Sequence, residues 1–223
     1  MAVAIDNTSS NFNASGTTAT SVTWAHTVKT PGADLYVQCY PVSATATTSG
    51  VTFNGVAMTQ SGTTKNNGFI GLQVFYLTNV PAGTFNIVAT FSAAVFYGVS
   101  ATSFSGTTKT APEVVTQGSG TTITPTNSLS TLTANDMLLD AVIFATSSTS
   151  GSSSVTASNG QTMIKIANLN GASSYGGVTG YRAATTVTSY TDAYTISASM
   201  AWNHNMYAIK AAPIPTNQFF AMF

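Results

Sequence analysis

Two histidines are the residues of this chain best suited to acid–base chemistry near neutral pH, and they lie far apart in the sequence. His26 alternates with Trp24 and Val28 in an apolar run, a pattern that favours a hydrogen-bonded histidine inside a sheet. His204 lies in Trp202-Asn203-His204-Asn205, whose composition predicts a turn. A Ser–His–Asp triad needs a positioned nucleophile, and the chain has no Gly-x-Ser-x-Gly element. We therefore predict no catalytic residues.

The acidic residues do not form a pattern that selects one reaction. A glycosidase needs two facing carboxylates, and any pair in this chain would serve equally well. Calcium needs several converging oxygen ligands, and zinc needs three or four His, Cys or carboxylate ligands. Neither spacing occurs, and the glycine-rich stretches are not followed by the helical pattern that a phosphate cradle requires. The sequence therefore predicts no metal and no cofactor. The six residues are Asp6, Asp34, Glu113, Asp136, Asp140 and Asp192.

The composition argues against a charged partner. Charged residues make up 5% of the 223 residues, and six basic side chains balance six acidic ones. The basic residues are scattered singly, whereas phosphate contacts need them clustered, so we expect no nucleic acid partner. A surface rich in Ser, Thr and Asn repels its own copies weakly, which favours close packing of many subunits.

Cysteine content and hydropathy bear on the compartment. Cys39 is the only cysteine, so no internal disulfide is expected, and its apolar surroundings predict a buried side chain. The segment Met1-Ala2-Val3-Ala4-Ile5-Asp6 lacks the basic start and the apolar length of a secretion signal. No apolar run reaches the length needed to span a bilayer. These features favour synthesis and assembly in the cytoplasm.

Alternation of apolar and polar residues predicts β-strands along the whole chain, and no stretch has a helical period. Segments rich in Thr, Ser and Gly at 43–50, 107–122 and 146–154 are predicted to be loops. The strand of residues 137–144 is apolar on nearly both faces, as expected in the middle of a sandwich. The predicted one-face sets include Val22, Trp24, His26 and Val28; Ile70, Leu72, Val74 and Tyr76; Phe85, Ile87, Ala89 and Phe91; and Tyr194, Ile196, Ala198, Met200 and Trp202.

Repeated features about a hundred positions apart predict an internal duplication. Asn-Gly is a strong hairpin signal, because both residues tolerate the positive φ of a type I′ turn. The chain has two such pairs in each half. The matching features are Asn54-Gly55 with Asn159-Gly160, Asn67-Gly68 with Asn170-Gly171, Met58 with Met163, Tyr76 with Tyr181, and Asp34 with Asp136. We predict that Asp34 and Asp136 cap backbone turns at equivalent places.

The predicted fold class is all-β, a double-sheet sandwich of jelly-roll type built from two homologous halves. The sandwich spans residues 1–212, with the repeats at about 20–106 and 123–212, and an apolar C-terminal tail covers 213–223. Two separate sandwiches in tandem are the alternative, because each half has enough residues for a seven-stranded sandwich.

A series of short motifs, in this order, resembles a β-sandwich module of roughly two hundred residues found in phage structural proteins and in bacterial secreted or surface-attached proteins. The resemblance covers about residues 20–212 and implies a structural or adhesive module without catalytic residues. The motifs are Trp24-Ala25-His26-Thr27-Val28, Val51-Thr52-Phe53-Asn54-Gly55-Val56-Ala57-Met58-Thr59, Tyr76-Leu77, Pro81-Ala82-Gly83-Thr84, Phe104-Ser105-Gly106, Gly160-Gln161-Thr162, Trp202 and Ala208-Ile209-Lys210.

The expected function is therefore that of a non-enzymatic virion subunit, a phage capsid decoration (cement) or tail-associated protein that binds copies of itself, a capsid protein or a tail protein. The tail is expected to dock into such a partner, because exposed aromatic residues are costly in water. Its predicted docking residues are Ile214, Phe219, Phe220, Met222 and Phe223.

The alternative is a module outside the cell or on its surface, either an adhesive or carbohydrate-binding domain or a subunit of an extracellular filament. Aromatic rings on one face would stack against sugar, although the same residues suit ordinary core packing. The candidates for weak carbohydrate binding are Tyr175, Tyr181, Tyr190, Tyr194, Tyr207 and Trp202.

Overall fold

The computed structural model describes residues 2–12, 17–145, 155–168, 175–196 and 198–213, which form β-strands and no helix. In chain order the strands are β1 (Ala4–Phe12), β2 (Ala19–Val28), β3 (Ala33–Val42), β4 (Thr48–Phe53), β5 (Val56–Ala57), β6 (Thr59–Asn67), β7 (Ile70–Val80), β8 (Gly83–Ser105), β9 (Val114–Thr122), β10 (Thr126–Ser130), β11 (Asp136–Ala145), β12 (Val155–Ala157), β13 (Thr162–Asn168), β14 (Tyr175–Ala184), β15 (Ser189–Ile196) and β16 (Met200–Ile209).

The strands form four antiparallel layers, two from each half of the chain. Strand β8 belongs to two layers, because residues 83–91 pair with β2 and β4 while residues 98–105 pair with β1 and β3. The first outer sheet is β5-β4-β8-β2, and the first inner sheet is β6-β7-β3-β8-β1. The second inner sheet is β13-β14-β11-β16-β9, and the second outer sheet is β10-β15-β12.

Each half has its own apolar core between its inner and outer sheets, and a third apolar layer joins the two inner sheets. The first core contains Leu35, Phe53 and Ile87, and the second contains Phe144, Tyr194 and Trp202. The joining layer contains Tyr36, Leu72 and Phe104 from the first half and Leu139, Ile143 and Tyr207 from the second. The prediction of an all-β sandwich is confirmed, and the sandwich consists of four sheets with apolar side chains between them.

Strand β11 shows why its sequence is apolar on both faces. Leu139 and Ile143 point toward the first half, whereas Val142 and Phe144 point into the core of their own half. The predicted alternation also holds in β2, where Trp24, His26 and Val28 are buried and the intervening Ala25 is exposed. In these two strands the alternation of residue types therefore predicts which side chains face a core.

The strand pairings of the first half recur in the second. Strand β3 pairs with β7 and β8, as β11 pairs with β14 and β16. Strands β1 and β2 pair with the two ends of β8, as β9 and β10 pair with β16 and β15. Strands β4 and β6 have β12 and β13 as counterparts. The jelly-roll type and the common origin of the halves stay predictions.

The two halves contact each other reciprocally. Strand β6 lies beside β9, and their counterparts β13 and β1 also lie beside each other. Such exchange of contacts is the geometry of a two-fold interface between like subunits. Polar side chains reinforce it: Asn67 Nδ2 donates to the Gly120 carbonyl at 2.8 Å, and the hydroxyls of Tyr40 and Thr179 are 2.9 Å apart.

Four predictions of local structure are wrong, in whole or in part. The predicted loop at 107–122 contains β9 from Val114 onward, because Gly118 and Gly120 let the strand lie directly under the Trp202 ring. The predicted turn around His204 lies inside β16. The predicted strand from Tyr194 to Trp202 is two strands, since β15 belongs to the outer sheet and β16 to the inner one. The loop predicted at 43–50 gives way to β4 at Thr48, and 146–154 lies outside the described residues.

The Asn-Gly pairs differ in structure. Asn54 and Gly55 have φ values of 51° and 77°, and the strands on either side pair, so the predicted hairpin is confirmed. Asn159 lacks positive φ, and β12 and β13 on either side of it pair with different strands, so the hairpin predicted there is wrong. At the third pair Gly68 lies in the two-residue turn between β6 and β7. Asn170-Gly171 lies outside the described residues.

Candidate functional site

The densest group of ionisable side chains lies in the core of the second half. Arg182 on β14 forms an ion pair with the buried Asp192 on β15 and donates to the Thr191 carbonyl at 2.9 Å. Asp140 on β11 accepts a hydrogen bond from the Tyr194 hydroxyl at 3.1 Å, and His204 Nε2 lies 3.4 Å from the other carboxylate oxygen. We call these five residues the buried charge cluster.

Burial decides the protonation of the buried charge cluster. It raises the pKa of Asp192 to about 8, and the facing carboxyl of Asp140 adds to the rise, although Arg182 acts against it. Burial also raises the pKa of Asp140, so the two carboxyl groups share a proton near neutral pH. Burial lowers the pKa of His204 to about 3, so its ring is neutral, and because Nδ1 has no hydrogen-bond partner the proton sits on Nε2.

This arrangement resembles an acid–base site in composition but is closed to a substrate. The side chains of Asp140, Asp192, Tyr194 and His204 have no solvent exposure. The Arg182–Asp192 ion pair and the contacts of Asp140 with Tyr194 and His204 tie β11, β14, β15 and β16 together. Arg182 Nε and His204 Nδ1 have no hydrogen-bond partner. The buried charge cluster can hold a proton inside the framework.

A second polar group links β1, β2 and β8 in the first half. Ser9 Oγ lies 2.8 Å from His26 Nδ1, and His26 Nε2 lies 3.1 Å from Ser103 Oγ. The Ser103 hydroxyl donates to Asp6 at 2.8 Å, and the indole of Trp24 donates to Ser9 Oγ at 3.1 Å. We call the chain Asp6–Ser103–His26–Ser9 the serine–histidine relay.

The relay has one consistent direction of donation. Because Ser103 donates to Asp6, the Ser103 oxygen accepts from His26 Nε2, and Nδ1 then accepts from the Ser9 hydroxyl. Burial lowers the pKa of His26 to about 4 although the charge of Asp6 acts in the other direction, so the ring is neutral. Asp6 also accepts the amides of Lys29 and Thr30, at 2.9 and 2.7 Å. The relay pins the edge strand β1 across both sheets of the first half, as predicted for a hydrogen-bonded histidine in the sheet.

The two aspartates predicted to be equivalent lie on opposite faces of their sheets. Asp34 shares a face of β3 with Tyr36, which points toward the second half. Asp136 shares a face of β11 with Leu138, which points into its own core. A one-residue slip in a strand reverses the face, so this part of the proposed repeat is wrong. The predicted backbone contact is present, because Asp34 accepts the amide of Asn79 at 3.0 Å and Asp136 that of Ala211 at 3.1 Å.

Asp136, the first residue of β11, forms a small acidic pair with Glu113. Glu113 accepts the amides of Leu132 and Thr133 at 2.7 and 3.1 Å, and Asp136 accepts the Thr133 hydroxyl at 2.8 Å. Burial raises the pKa of Asp136 to about 6, and Glu113 adds to the rise. These contacts fix the loop between β10 and β11.

Cys39 is buried in the first core, as predicted. Burial raises the pKa of its thiol to about 12, so the thiolate needed for nucleophilic attack or metal binding does not form near neutral pH.

The aromatic residues considered for sugar binding do not share an exposed face. Tyr194 and Tyr207 have no exposed surface, and Trp202 is buried against β9. Tyr181 packs in the layer between the two inner sheets. Tyr190 is nearer the surface, where the Arg182 guanidinium lies 5.0 Å from its ring centre.

An open cleft lies where the two halves of the chain are connected. Residues 106–108 run beside 210–212, with the Ala212 amide donating to the Gly106 carbonyl at 2.8 Å. The cleft has a volume of about 710 Å³. Its walls are Ala2, Thr108, Thr133, Ala134, Asn135, Lys210, Ala211, Ala212 and Pro213.

The predicted docking residues Ile214, Phe219, Phe220, Met222 and Phe223 lie outside the described residues. Within the described ranges, no three His, Cys, Asp or Glu side chains are close enough together to bind a metal ion. No described helix has the length and apolar character needed to cross a bilayer.

Comparison with family models, with curated proteins and with solved structures finds no match for this chain. The resemblance to a module of phage and surface proteins therefore stays a prediction.

Neither polar group is predictable as a unit from the sequence, because their members come from strands up to 97 positions apart. Two signals were present. Asp140 interrupts an otherwise apolar face of the strand 137–144, and Arg182 is the only arginine of the chain. A buried carboxylate needs a partner, so together they pointed to an internal ion pair.

Proposed function

We propose that the protein is a non-enzymatic structural subunit of a virion, a capsid decoration protein or a tail-associated protein of a phage. The observation that carries the proposal is the structural use of both histidines and of the carboxylates nearest to them. His204 and Asp140 belong to the closed buried charge cluster, and His26 and Asp6 belong to the serine–histidine relay. Their role is to hold strands together, which is what a scaffold requires.

The apolar contact between the two halves supports a structural role. The apolar layer between the inner sheets includes fully buried aromatic side chains from both halves, among them Tyr36, Phe104 and Tyr207. Aromatic side chains supply much of the burial energy of such a layer. A body stabilised by three stacked apolar layers resists local unfolding and suits repeated use in an assembly.

The surface supports dense packing of copies. With six positive and six negative side chains in 223 residues, the chain has no net charge. The one arginine forms its ion pair with a buried aspartate and so contributes little to the surface field. Neighbouring copies on a particle would therefore repel one another weakly.

The apolar tail supplies the means of attachment. Three phenylalanines and one methionine lie within residues 219–223, beyond the last described strand. One such tail binds weakly because ordering it costs about as much as burial of its side chains gains. Many tails on one particle hold together through avidity.

The test is to locate the protein. An antibody raised against the purified chain is used for immunogold electron microscopy, and quantitative mass spectrometry counts copies per particle in the purified particle fraction. We expect label on virions and many copies in fixed ratio to the capsid protein. Label on cell surfaces or extracellular filaments would support the adhesive or filament alternative instead. Recovery only as a soluble, unassembled protein would contradict both.

A further inference from the structure

The described part of the chain ends at the rim of the cleft described above. Pro213 is the last described residue and forms part of the cleft wall. Ten residues follow it in the sequence, 214–223, and none of them has a charged side chain. The cleft therefore lies at the base of the apolar tail of every copy.

The lining of the cleft is small and mostly apolar. Ala2, Ala134, Ala211 and Ala212 contribute methyl groups, and Lys210 is the only charged residue of the wall. Small side chains around a volume of about 710 Å³ leave space for several larger ones. Clefts of this size bind ligands that carry several rings or branched chains.

Two exposed apolar side chains lie on loops next to a wall residue of the cleft. Leu132 is 66% exposed and directly precedes Thr133 of the wall, and Val187 is 59% exposed. The loops that hold Leu132 and Val187 are neighbours, because the Thr131 amide donates to the Thr188 carbonyl at 3.1 Å. Exposed apolar side chains beside an apolar cleft mark a docking surface.

The sequence of the tail favours an extended chain. Pro213 and Pro215 disfavour a helix, and a proline also disfavours the helical conformation for the residue before it. At about 3 Å per residue, an extended chain of six residues spans on the order of 18 Å. The tail is therefore long enough to bring its rings to a neighbouring copy.

We propose that the cleft receives the tail, residues 214–223, of a second copy of the chain. The contact is head-to-tail, so it generates a ring if the rotation closes and a filament or lattice row if it does not. This inference rests on the proposed function, because it supplies the receptor for the tail that attaches each subunit.

Two variants separate the donor from the receptor. Ala134→Trp fills the cleft from an exposed wall position, and truncation after Pro213 removes the tail. We expect concentration-dependent association of the full chain in sedimentation velocity, and association at least about tenfold weaker for either variant alone. Mixing the two variants joins one intact tail to one intact cleft, so a 1:1 dimer and nothing larger is expected. Ala198→Trp, at an exposed alanine two residues before β16, is the matched control and should associate as the full chain does.

Each other outcome overturns the inference in a distinguishable way. If Ala134→Trp associates like the full chain while the truncated chain does not, the tail binds elsewhere and the proposed function stands. If the full chain is monomeric and truncation lowers its melting temperature, the tail folds onto its own body. If the full chain is monomeric and is also missing from particles, the proposed function fails as well.

Discussion

Asp192 has no contact with solvent, and its carboxyl group faces that of Asp140. Two carboxylates so placed cannot both be ionised without strong repulsion, so the folded chain retains a proton that the unfolded chain releases. His204 in the same cluster has the opposite effect on stability. Its ring stays neutral in the folded chain, whereas the unfolded chain binds a proton there at acidic pH. The buried charge cluster therefore makes stability depend on pH.

The first prediction concerns the alkaline side of neutrality. The raised pKa of Asp192 means that its stabilising proton is fully present below the ordinary value of 3.8 and is lost as the pH rises through about 8. The histidines oppose this slope, because those of the unfolded chain are about half protonated at pH 6.5 and become neutral by about pH 7.5, but Asp192 sets its sign. We expect the free energy of unfolding to fall by about 1 kcal/mol between pH 6.5 and 8, measured by urea denaturation.

Asp192→Asn should remove this slope, because an amide does not titrate. Asp6→Asn is the control: the contacts of Asp6 with Lys29, Thr30 and Ser103 hold its pKa low despite partial burial, so its effect belongs to acidic pH. A fall in stability above pH 6.5 that persists in Asp192→Asn would show that another group is responsible.

The residue scale also shows the limit of sequence reasoning. The burial of His26 was predictable from its neighbours, whereas the position of His204 in a strand was not. One polar residue beside His204 has a remote partner: Asn203 Nδ2 donates to the Ile70 carbonyl at 3.1 Å. Local composition does not contain a partner 133 positions away, so Trp-Asn-His-Asn resembled a turn.

At the scale of elements, β9 shows how a sequence of low strand propensity becomes a strand. Residues 117–122, Gln-Gly-Ser-Gly-Thr-Thr, have the composition of a loop. Pairing with β16 places Gly118 and Gly120 against the ring of Trp202. The aromatic ring packs against backbone that larger residues would keep away, so tertiary packing overrides local propensity.

The second prediction tests this packing with two substitutions on one strand. A β-carbon on Gly120 would lie 2.7 Å from the Trp202 ring, whereas one on Gly118 would lie at an ordinary 3.5 Å. Gly120→Ala should therefore destabilise the protein by about 1–3 kcal/mol. Gly118→Ala should change the stability by less than about 0.5 kcal/mol. Thermal denaturation of both variants checks the difference, and equal effects would show that Trp202 does not pack as described.

The third prediction concerns the Asn-Gly pairs. Gly55 and Gly160 have φ values of 77° and 81°, and a β-carbon at either position would meet no atom within 4 Å. Valine at these positions destabilises the protein only because positive φ is unfavourable for it. Gly55→Val and Gly160→Val should therefore each lower the free energy of unfolding by about 1–3 kcal/mol. Gly50→Ala, at an uncrowded position without positive φ, is the control for loss of glycine. Costs below about 0.5 kcal/mol in chemical denaturation would contradict the assigned backbone conformations.

The repeat signals in the sequence were partly informative about these elements. Tyr76 and Tyr181 pack in the same layer between the inner sheets, and Met58 and Met163 lie in the cores of their respective halves. The predicted equivalence of Asp34 and Asp136 is wrong, because an offset wrong by one residue selects the opposite face of the strand. Matching residue types identifies related strands, but only the alternation of buried positions fixes their register.

At the scale of the whole molecule, the layer between the inner sheets explains why the two halves belong together. Tyr40, Ile70 and Leu72 are fully buried there although they lie on the outer face of the first sandwich. A separated first half would expose them as a continuous apolar surface. Each half has a core of its own and still depends on its neighbour for solubility.

The fourth prediction follows from this shared layer. The full chain should unfold in a single calorimetric transition with equal calorimetric and van't Hoff enthalpies. Fragments 1–112 and 113–223 should be insoluble or unfolded when expressed alone and should form a soluble 1:1 complex when expressed together. Two soluble fragments that melt independently would mean that the layer between the inner sheets contributes little.

The central claim is that the body is a self-contained scaffold and that assembly depends on the tail. Deletion of residues 216–223 tests it most directly when melting temperature and incorporation into particles are measured on the same preparation. We predict an unchanged melting temperature, because Pro213 and Pro215 block continued strand pairing of the tail, together with loss of incorporation. A large fall in melting temperature, or particles that still contain the shortened chain at full copy number, would contradict the account.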